Sequence, residues 1–311
     1  MLPAILHSMR QGGHRAASGG FTIVEVMIVL AVTGIMFVAA AIMINGRQNK
    51  TEFMTGINDL QQELQQVINE TASGYYPSNE NFTCTGAISA TDTVKFATGS
   101  NKQGTNGGCI FMGKALQFGL GSGASASSIG VLPLVGNQYQ TGTTNPVLTV
   151  AQAKPRAASP GLAESGVPDT SAITQMENGL SVATSNSSCG AGLGGMCYTD
   201  IASGTTFKAG IIAFISGDSS GTIASLTGGN GGLQAGSQQL SLYGVSNSLP
   251  NQTLKVASDD IGGTSSPYSN HLHVASSASI CIASATTNQS GLFTIDGGLH
   301  VKLAIKAGTT C

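Results

Sequence analysis

Hydrophobic and polar positions divide this chain into stretches of different grain. From Phe21 to Ile44 every residue is apolar or small except Thr22, Glu25 and Thr33. At about 1.5 Å per residue that run makes roughly 36 Å of helix, enough to cross the hydrocarbon of a bilayer. From Asn45 the chain turns polar, but Phe53, Ile57, Leu60, Leu64, Val67 and Thr71 recur at alternating spacings of four and three. That spacing is one face of an amphipathic helix, and Met54 and Ile68 widen the stripe. Gln48, Asn49, Gln61, Gln62, Gln65, Gln66 and Glu70 fill the outer side. Gly74-Tyr75-Tyr76 and Pro77 stop the helix by about residue 73. The expectation is one helix of about 50 residues. Its first half, 21–44, is apolar enough for a membrane, and its second half, 45–73, packs on a soluble domain. A coiled-coil seam would show a similar stripe, but only about three heptads are present and Gly46 and Gly56 interrupt them.

The remainder, 74–311, is rich in Gly, Ser, Thr, Ala and Asn and poor in charge. The chain holds 43 glycines in 311 residues, yet no collagen-like or other short repeat organises them. Strand patterns fall at Thr93–Ala97, Cys109–Gln117, Ile129–Val135, Ala209–Ser216, Leu240–Val245, Ser279–Ala283, Gly291–Ile295 and Leu299–Lys306, separated in part by turn clusters. The strongest hairpin joins Leu292–Ile295 to Leu299–Ile305 through Asp296-Gly297-Gly298, Asp-Gly being a preferred tight-turn pair. Ala151 to Thr170, with Pro155, Pro160 and Pro168, is expected to be a loop or insertion. The fold class is therefore α+β, a long N-terminal helix packed on an antiparallel β-rich head.

Residues 1–20 contain Arg10, Arg15, His7 and His14 and no acid. Basic residues flanking an apolar segment favour the cytoplasmic side, which sends the C-terminal part outward. A secretory signal places its small-residue cleavage site after the apolar core. Here Ala16, Ala17, Ser18, Gly19 and Gly20 precede it, so cleavage would remove the leader and leave the apolar helix on the mature chain. Glu25 is the anomaly, because a carboxylate inside such a segment costs about 2.5–3.5 kcal/mol on insertion scales and normally has a functional partner.

Gly20-Phe21-Thr22-Ile23-Val24-Glu25 followed by an apolar run resembles the class III signal of type IV pilins and pseudopilins. The resemblance covers residues 19 to about 44, and the helical continuation to about 73 is also family-like. It implies that a prepilin peptidase cuts between Gly20 and Phe21 and methylates the new amine of Phe21. Glu25 then becomes the fifth residue of the mature chain, a position this family reserves for glutamate. Gly34 falls where many members carry a helix glycine, whereas the proline that often kinks this helix is absent, Ile42 standing near its place. In the family-type scheme, Glu25 of an incoming subunit pairs with the Phe21 amine of one already in the filament. Pairing relieves part of the desolvation of both charges.

All six cysteines, Cys84, Cys109, Cys189, Cys197, Cys281 and Cys311, lie in the head. An even count on the side that topology places outside the cell favours disulfides, and neighbour pairing (84–109, 189–197, 281–311) is the expected arrangement. A Cys281–Cys311 bridge would tie down a C-terminal hairpin and resembles the disulfide-closed C-terminal region of many type IV pilins. Zinc is disfavoured, since no Cys-x-x-Cys occurs and the histidines are scattered.

Several short motifs imitate catalytic or binding signals. Gly217-Asp218-Ser219-Ser220-Gly221 fits G-x-S-x-G but leads into glycines rather than a helix. Gly190 to Gly195 fits G-x-G-x-x-G without a following helix, and Gly108 to Lys114 fits G-x-x-x-x-G-K with Ala115 where Ser or Thr is needed. His271-Leu272-His273 lacks a third ligand, and Asp259-Asp260 suits a polar turn. No cofactor, metal or catalytic site is expected. The formal net charge is −2 with no basic cluster in the head, so direct nucleic-acid binding is not indicated.

The resemblance implies a structural subunit of a type IV pilus-like filament. Its partners would be the prepilin peptidase, other copies of itself or other pilins, the membrane-embedded assembly machinery, and membrane lipid before assembly. The chain would be a single-pass cytoplasmic-membrane protein with an extracytoplasmic head, then part of a cell-surface filament. A minor or tip pilin with an adhesive head, or a pseudopilin of a type II secretion or DNA-uptake system, remains open as an alternative.

Overall fold

In a computed structural model of the chain, the described residues are 20–74, 82–85, 95–98, 109–118, 127–140, 142–157, 173–190, 194–216, 240–246, 272–284 and 286–311. Helix α1 spans Ile23–Ala72 without interruption, 50 residues. By internal contacts the chain divides into two units, Met1–Gln48 and Asn49–Cys311. In the first, the apolar side chains of α1 are exposed almost throughout, as in Ile28, Leu30, Phe37 and Ile42. In the second, the stripe Phe53, Ile57, Leu60, Leu64, Val67 and Thr71 is buried, with Ile68 beside it and Met54 at its margin. Each residue expected on the inner face lies there.

The head strands are β1 (Phe82–Thr85), β2 (Lys95–Thr98), β3 (Cys109–Phe118), β4 (Ser128–Asn137), β5 (Arg156–Ala157), β6 (Ile173–Gln175), β7 (Leu180–Val182), β8 (Met196–Asp200), β9 (Thr206–Ser216), β10 (Leu240–Ser246), β11 (Leu272–Ser284), β12 (Gln289–Asp296) and β13 (Val301–Ala307). Strands β1 and β2 pair with each other, and the other eleven form one sheet whose main path is β13-β12-β11-β10-β9-β3-β4-β5. The pairings are antiparallel throughout. Between β9 and β11 one slot holds two strands end to end. Strand β10 pairs with Ala209–Ser216 of β9 and with Leu272–Val274 of β11, while β8 takes Thr206–Lys208 and the stretch from Ala275 to Ile280. Where the two meet, Tyr198 covers Gly244 so closely that a Cβ there would lie 2.1 Å from the ring.

Side-chain alternation splits the sheet into two apolar faces. One carries Leu116, Phe118, Ile129, Ile212, Phe214, Ile280, Ile282 and Phe293 and packs with the α1 stripe. The other carries Met112, Ala115, Leu132, Leu134, Ile211 and Ile215, packed with Val147, Val150 and Ala153. Bulges in β3 (between Phe111 and Gly113) and β10 (between Val245 and Ser246) shift the register, which lets a strand exchange faces along its length. Gly56 does not interrupt the helix packing. It admits Leu180, whose Cδ1 would stand 2.8 Å from an added Cβ, and Asn178 Nδ2 donates to Glu52 O at 3.2 Å from the same turn.

The eight strand patterns overlap β2, β3, β4, β9, β10, β11, β12 and β13. Three expectations need correction. The β12–β13 turn is longer than an Asp-Gly pair, because Ile295 pairs with Val301 and Leu299, expected to begin β13, sits in the turn at φ 62°. Its side chain packs against the main core, which holds a left-handed backbone that glycine would adopt more easily. Within 151–170, Val150–Ala153 forms the one-turn helix α2, capped by Thr149, and Arg156–Ala157 pairs with β4. Residues 158–170 lie outside the description.

The third correction concerns Glu70, assigned above to the outer side of α1. It reaches the buried Lys114 ammonium and also accepts from Gln66 Nε2 at 2.6 Å. Burial works against its charge, but the hydrogen bonds from Lys114 and Gln66 outweigh it and hold the carboxyl below its ordinary 4.5. We expect Glu70→Ala to destabilise the head by about 2 kcal/mol, because it strands a buried ammonium beside water that screens only part of it. Lys114→Met should cost less, since Glu70 can turn to solvent. With a lowered folded value, the Glu70 contribution is full above pH 4.5 and fades as pH falls through that value. Denaturant midpoints of the full chain in micelles, taken at neutral and acid pH, check both the ranking and the sign.

Candidate functional site

The residues that carry the chemistry surround the start of α1. Gly20 and Phe21 precede the helix and both are exposed, Phe21 by 82%. A Cβ on Gly20 would meet nothing within 4 Å, so no contact within the chain demands glycine there. Thr22 stands at the N-cap, its carbonyl taking the first helical bond from Val26 N–H at 3.2 Å. Glu25 N–H donates to Thr22 Oγ1, while Thr22 N–H and Oγ1 both donate to Glu25 Oε2, each at 3.3 Å. This reciprocal arrangement is a capping box, and it satisfies helix N–H groups that would otherwise lack partners. The Glu25 carboxylate also lies at the positive end of the helix dipole. Sequence reading had singled out Glu25 for its charge but missed Thr22, although the Thr-x-x-Glu spacing before an apolar run was the available signal.

Farther along, Thr33 Oγ1 donates to Val29 O at 2.8 Å and Leu30 O at 3.1 Å, which hides its hydroxyl against the backbone. Gly34 beside it has open space where a side chain would stand. Among the described residues α1 is the helix long and apolar enough to cross a membrane, and its apolar half suits membrane anchoring.

In the head, Cys189 is bonded to Cys197 and Cys281 to Cys311. Cys109 is also disulfide-bonded, while the side chain of Cys84, the partner expected for it, lies outside the description. The Cys281–Cys311 bridge lies buried with Ala183, Ala283 and Leu292. Ser187 Oγ donates to Cys311 O, as does Lys306 Nζ at 2.7 Å.

The imitative motifs fare as follows. Gly108–Lys114 leads into strand β3 and its lysine is spent on Glu70. The Gly190–Gly195 run is closed off by the Cys189–Cys197 bridge. Ser219, His271 and Asp259-Asp260 lie outside the described residues. His273 stacks on Phe207 with ring centroids 5.6 Å apart, and its Nδ1 lies 3.9 Å from Asp200 Oδ1. Hydrogen bonds from Ser203 hold the Asp200 carboxyl below its ordinary value despite burial. Among the described residues no group of three or more His, Cys, Asp or Glu side chains is placed to hold a metal ion.

The family model described as the prokaryotic N-terminal methylation motif matches residues 15–41. This is the leader signature of type IV pilins and pseudopilins, and it marks the chain as pilin- or pseudopilin-like and structural in character. The motif implies processing by a prepilin peptidase and assembly with other pilins. No curated protein and no solved structure matches the chain.

The capping box makes a direct prediction. Thr22→Val removes the hydroxyl that Glu25 N–H uses, at about 1 kcal/mol, whereas Thr22→Ser retains it. Amide exchange at Glu25 in micelles should quicken roughly fivefold in the valine variant and stay unchanged in the serine one. Equal rates in all three proteins would rule out the box.

Proposed function

We propose that this chain is the structural subunit of a type IV pilus-like filament, cut by a prepilin peptidase between Gly20 and Phe21 and assembled from the membrane through α1. The observation that carries this reading is the methylation motif itself. It sets an exposed Gly20-Phe21 junction one helical turn before Glu25, at the head of a segment whose apolar side chains are unburied. A peptidase requires an accessible bond with small residues beside it, and Gly19-Gly20 meets that need. The new amine of Phe21, once methylated, keeps its positive charge.

Before assembly the apolar half of α1 resides in the cytoplasmic membrane, with the leader on the cytoplasmic side and the head outside. Withdrawal from lipid exposes that surface, and packing against the same helices of neighbouring copies buries it again. Glu25 of the incoming subunit then pairs with the Phe21 amine of the last one added. Because burying two charges offsets much of their attraction, the pair sets register while apolar packing supplies adhesion. Thr22 gives the carboxylate local donors until that partner arrives. Disulfides in the head agree with an oxidising, extracytoplasmic location.

Two variants test separate steps. Gly20→Asp should block leader removal, visible as uncut chain on gels and as an unmethylated amino terminus by mass spectrometry; mature chain of normal size would contradict it. Glu25→Leu should leave membrane insertion intact and sharply reduce the chain recovered in sheared filaments. Wild-type recovery of that variant would defeat the pairing scheme.

A further inference from the structure

Large apolar side chains exposed in the Asn49–Cys311 unit are few: Tyr139, Leu148, Ile201 and Ile305. Ile201 stands alone in the β8–β9 turn, and single exposed hydrophobics of that kind are ordinary. The other three mark two places near opposite ends of the strand order. Past β4 the chain forms a small hairpin between Asn137 and Val150. Tyr139 bridges Pro146, Gln140 N–H donates to Asn145 O at 2.8 Å, and Val147 N–H donates to Gln138 O at 3.1 Å. Strand alternation then puts Tyr139, Pro146 and Leu148 on one side and buries Val147 on the other. Tyr139 is 43% and Leu148 52% exposed, and no charged residue occurs from 138 to 149. An apolar centre with an uncharged polar rim is the composition of a protein-binding patch.

The second place is β13, the last strand of the path, which pairs with β12 alone among the described residues. Val301, Leu303 and Ile305 share one face. Val301 is buried, Leu303 packs at the core margin, and Ile305 is 39% exposed. Lys302 and Lys306 stand on the other face.

We propose that the outward face of the 138–149 hairpin docks on β13 of a second copy of this chain. Charge selects this pairing over symmetric ones. Two β13 edges paired antiparallel about Ala304 would set Lys302 opposite Lys306, a like-charge contact. The hairpin, having no charge, meets no such penalty. A contact between two different patches is heterologous, so it propagates instead of closing into a dimer. The inference rests on the filament reading above and adds to it the head surfaces that neighbouring subunits share. The patches are too small to hold two copies together unaided, so they orient heads already gathered by their helices.

The test places a photoreactive phenylalanine analogue at Leu148 in the full chain, irradiates sheared filaments and maps the products by mass spectrometry. A ladder of multimers with cross-links to residues 301–307 is expected. Cross-links to the hairpin itself, to a foreign protein, or to none at all in filaments that contain the chain would overturn the docking while leaving the filament reading intact. Absence of the wild-type chain from sheared filaments would overturn both. As a second measurement, Leu148→Asp should lower filament yield severalfold, and adding Ile305→Lys should restore it by pairing opposite charges across the contact. Membrane levels of the disulfide-bonded chain serve as the folding control. An unrestored double variant with normal membrane levels counts against the docking.

Discussion

The head depends on burial of one helical stripe. Phe53, Ile57, Leu60, Leu64 and Val67 supply the α1 side of a core whose other side is the inner face of the sheet. A sheet with an apolar face needs a cover, and α1 provides one. The geometry then constrains its neighbours. Gly56 lets Leu180 approach the helix, and Gly291 stands where a Cβ would come within 2.9 Å of Ile57. Small residues beneath the helix are therefore part of the packing, which explains glycine in strands where flexibility alone would be a cost.

Two carboxylates on the same helix show how position sets the meaning of a charge. Glu25 lies in the first turn, where the dipole and the Thr22 donors favour it. Glu70 lies in the last turn, where the dipole disfavours an acid, and no basic residue of that turn compensates. Lys114 from β3 does so instead, and the pair fixes the end of the helix to the sheet. An N-terminal acid satisfied within its own turn can exchange partners without disturbing the head. The C-terminal one cannot, because its partner is buried.

The head holds its glycine-rich sequence together by closure as well as by packing. The Cys281–Cys311 bridge and the hydrogen bonds to Cys311 O from Ser187 and Lys306 pin the last described residues across β11. In the β12–β13 turn, Asp296 Oδ1 accepts from the backbone N–H of His300 and Gly298 and contacts the His300 ring, while Lys302 reaches Oδ2. The His300 backbone hydrogen bond is the chief cause that lowers its carboxyl from 3.8 to about 2. Local polar closure of this kind compensates for loops with little to bury.

The sequence by itself determined the elements whose signals are local. The apolar run, the alternating stripe and the Gly-Phe…Glu junction are each complete within a few turns of helix, so their period and composition suffice to find them. The longer strands were legible for the same reason. Tertiary structure alone decided that β8 fills the slot beside β10, since Met196–Asp200 is short and follows a glycine run that resembles a loop. It also decided that Leu299 adopts a left-handed turn and that Glu70 faces Lys114 rather than water. Each of those outcomes is set by a partner distant in the chain, and burial against that partner overrides the local preference of the residue.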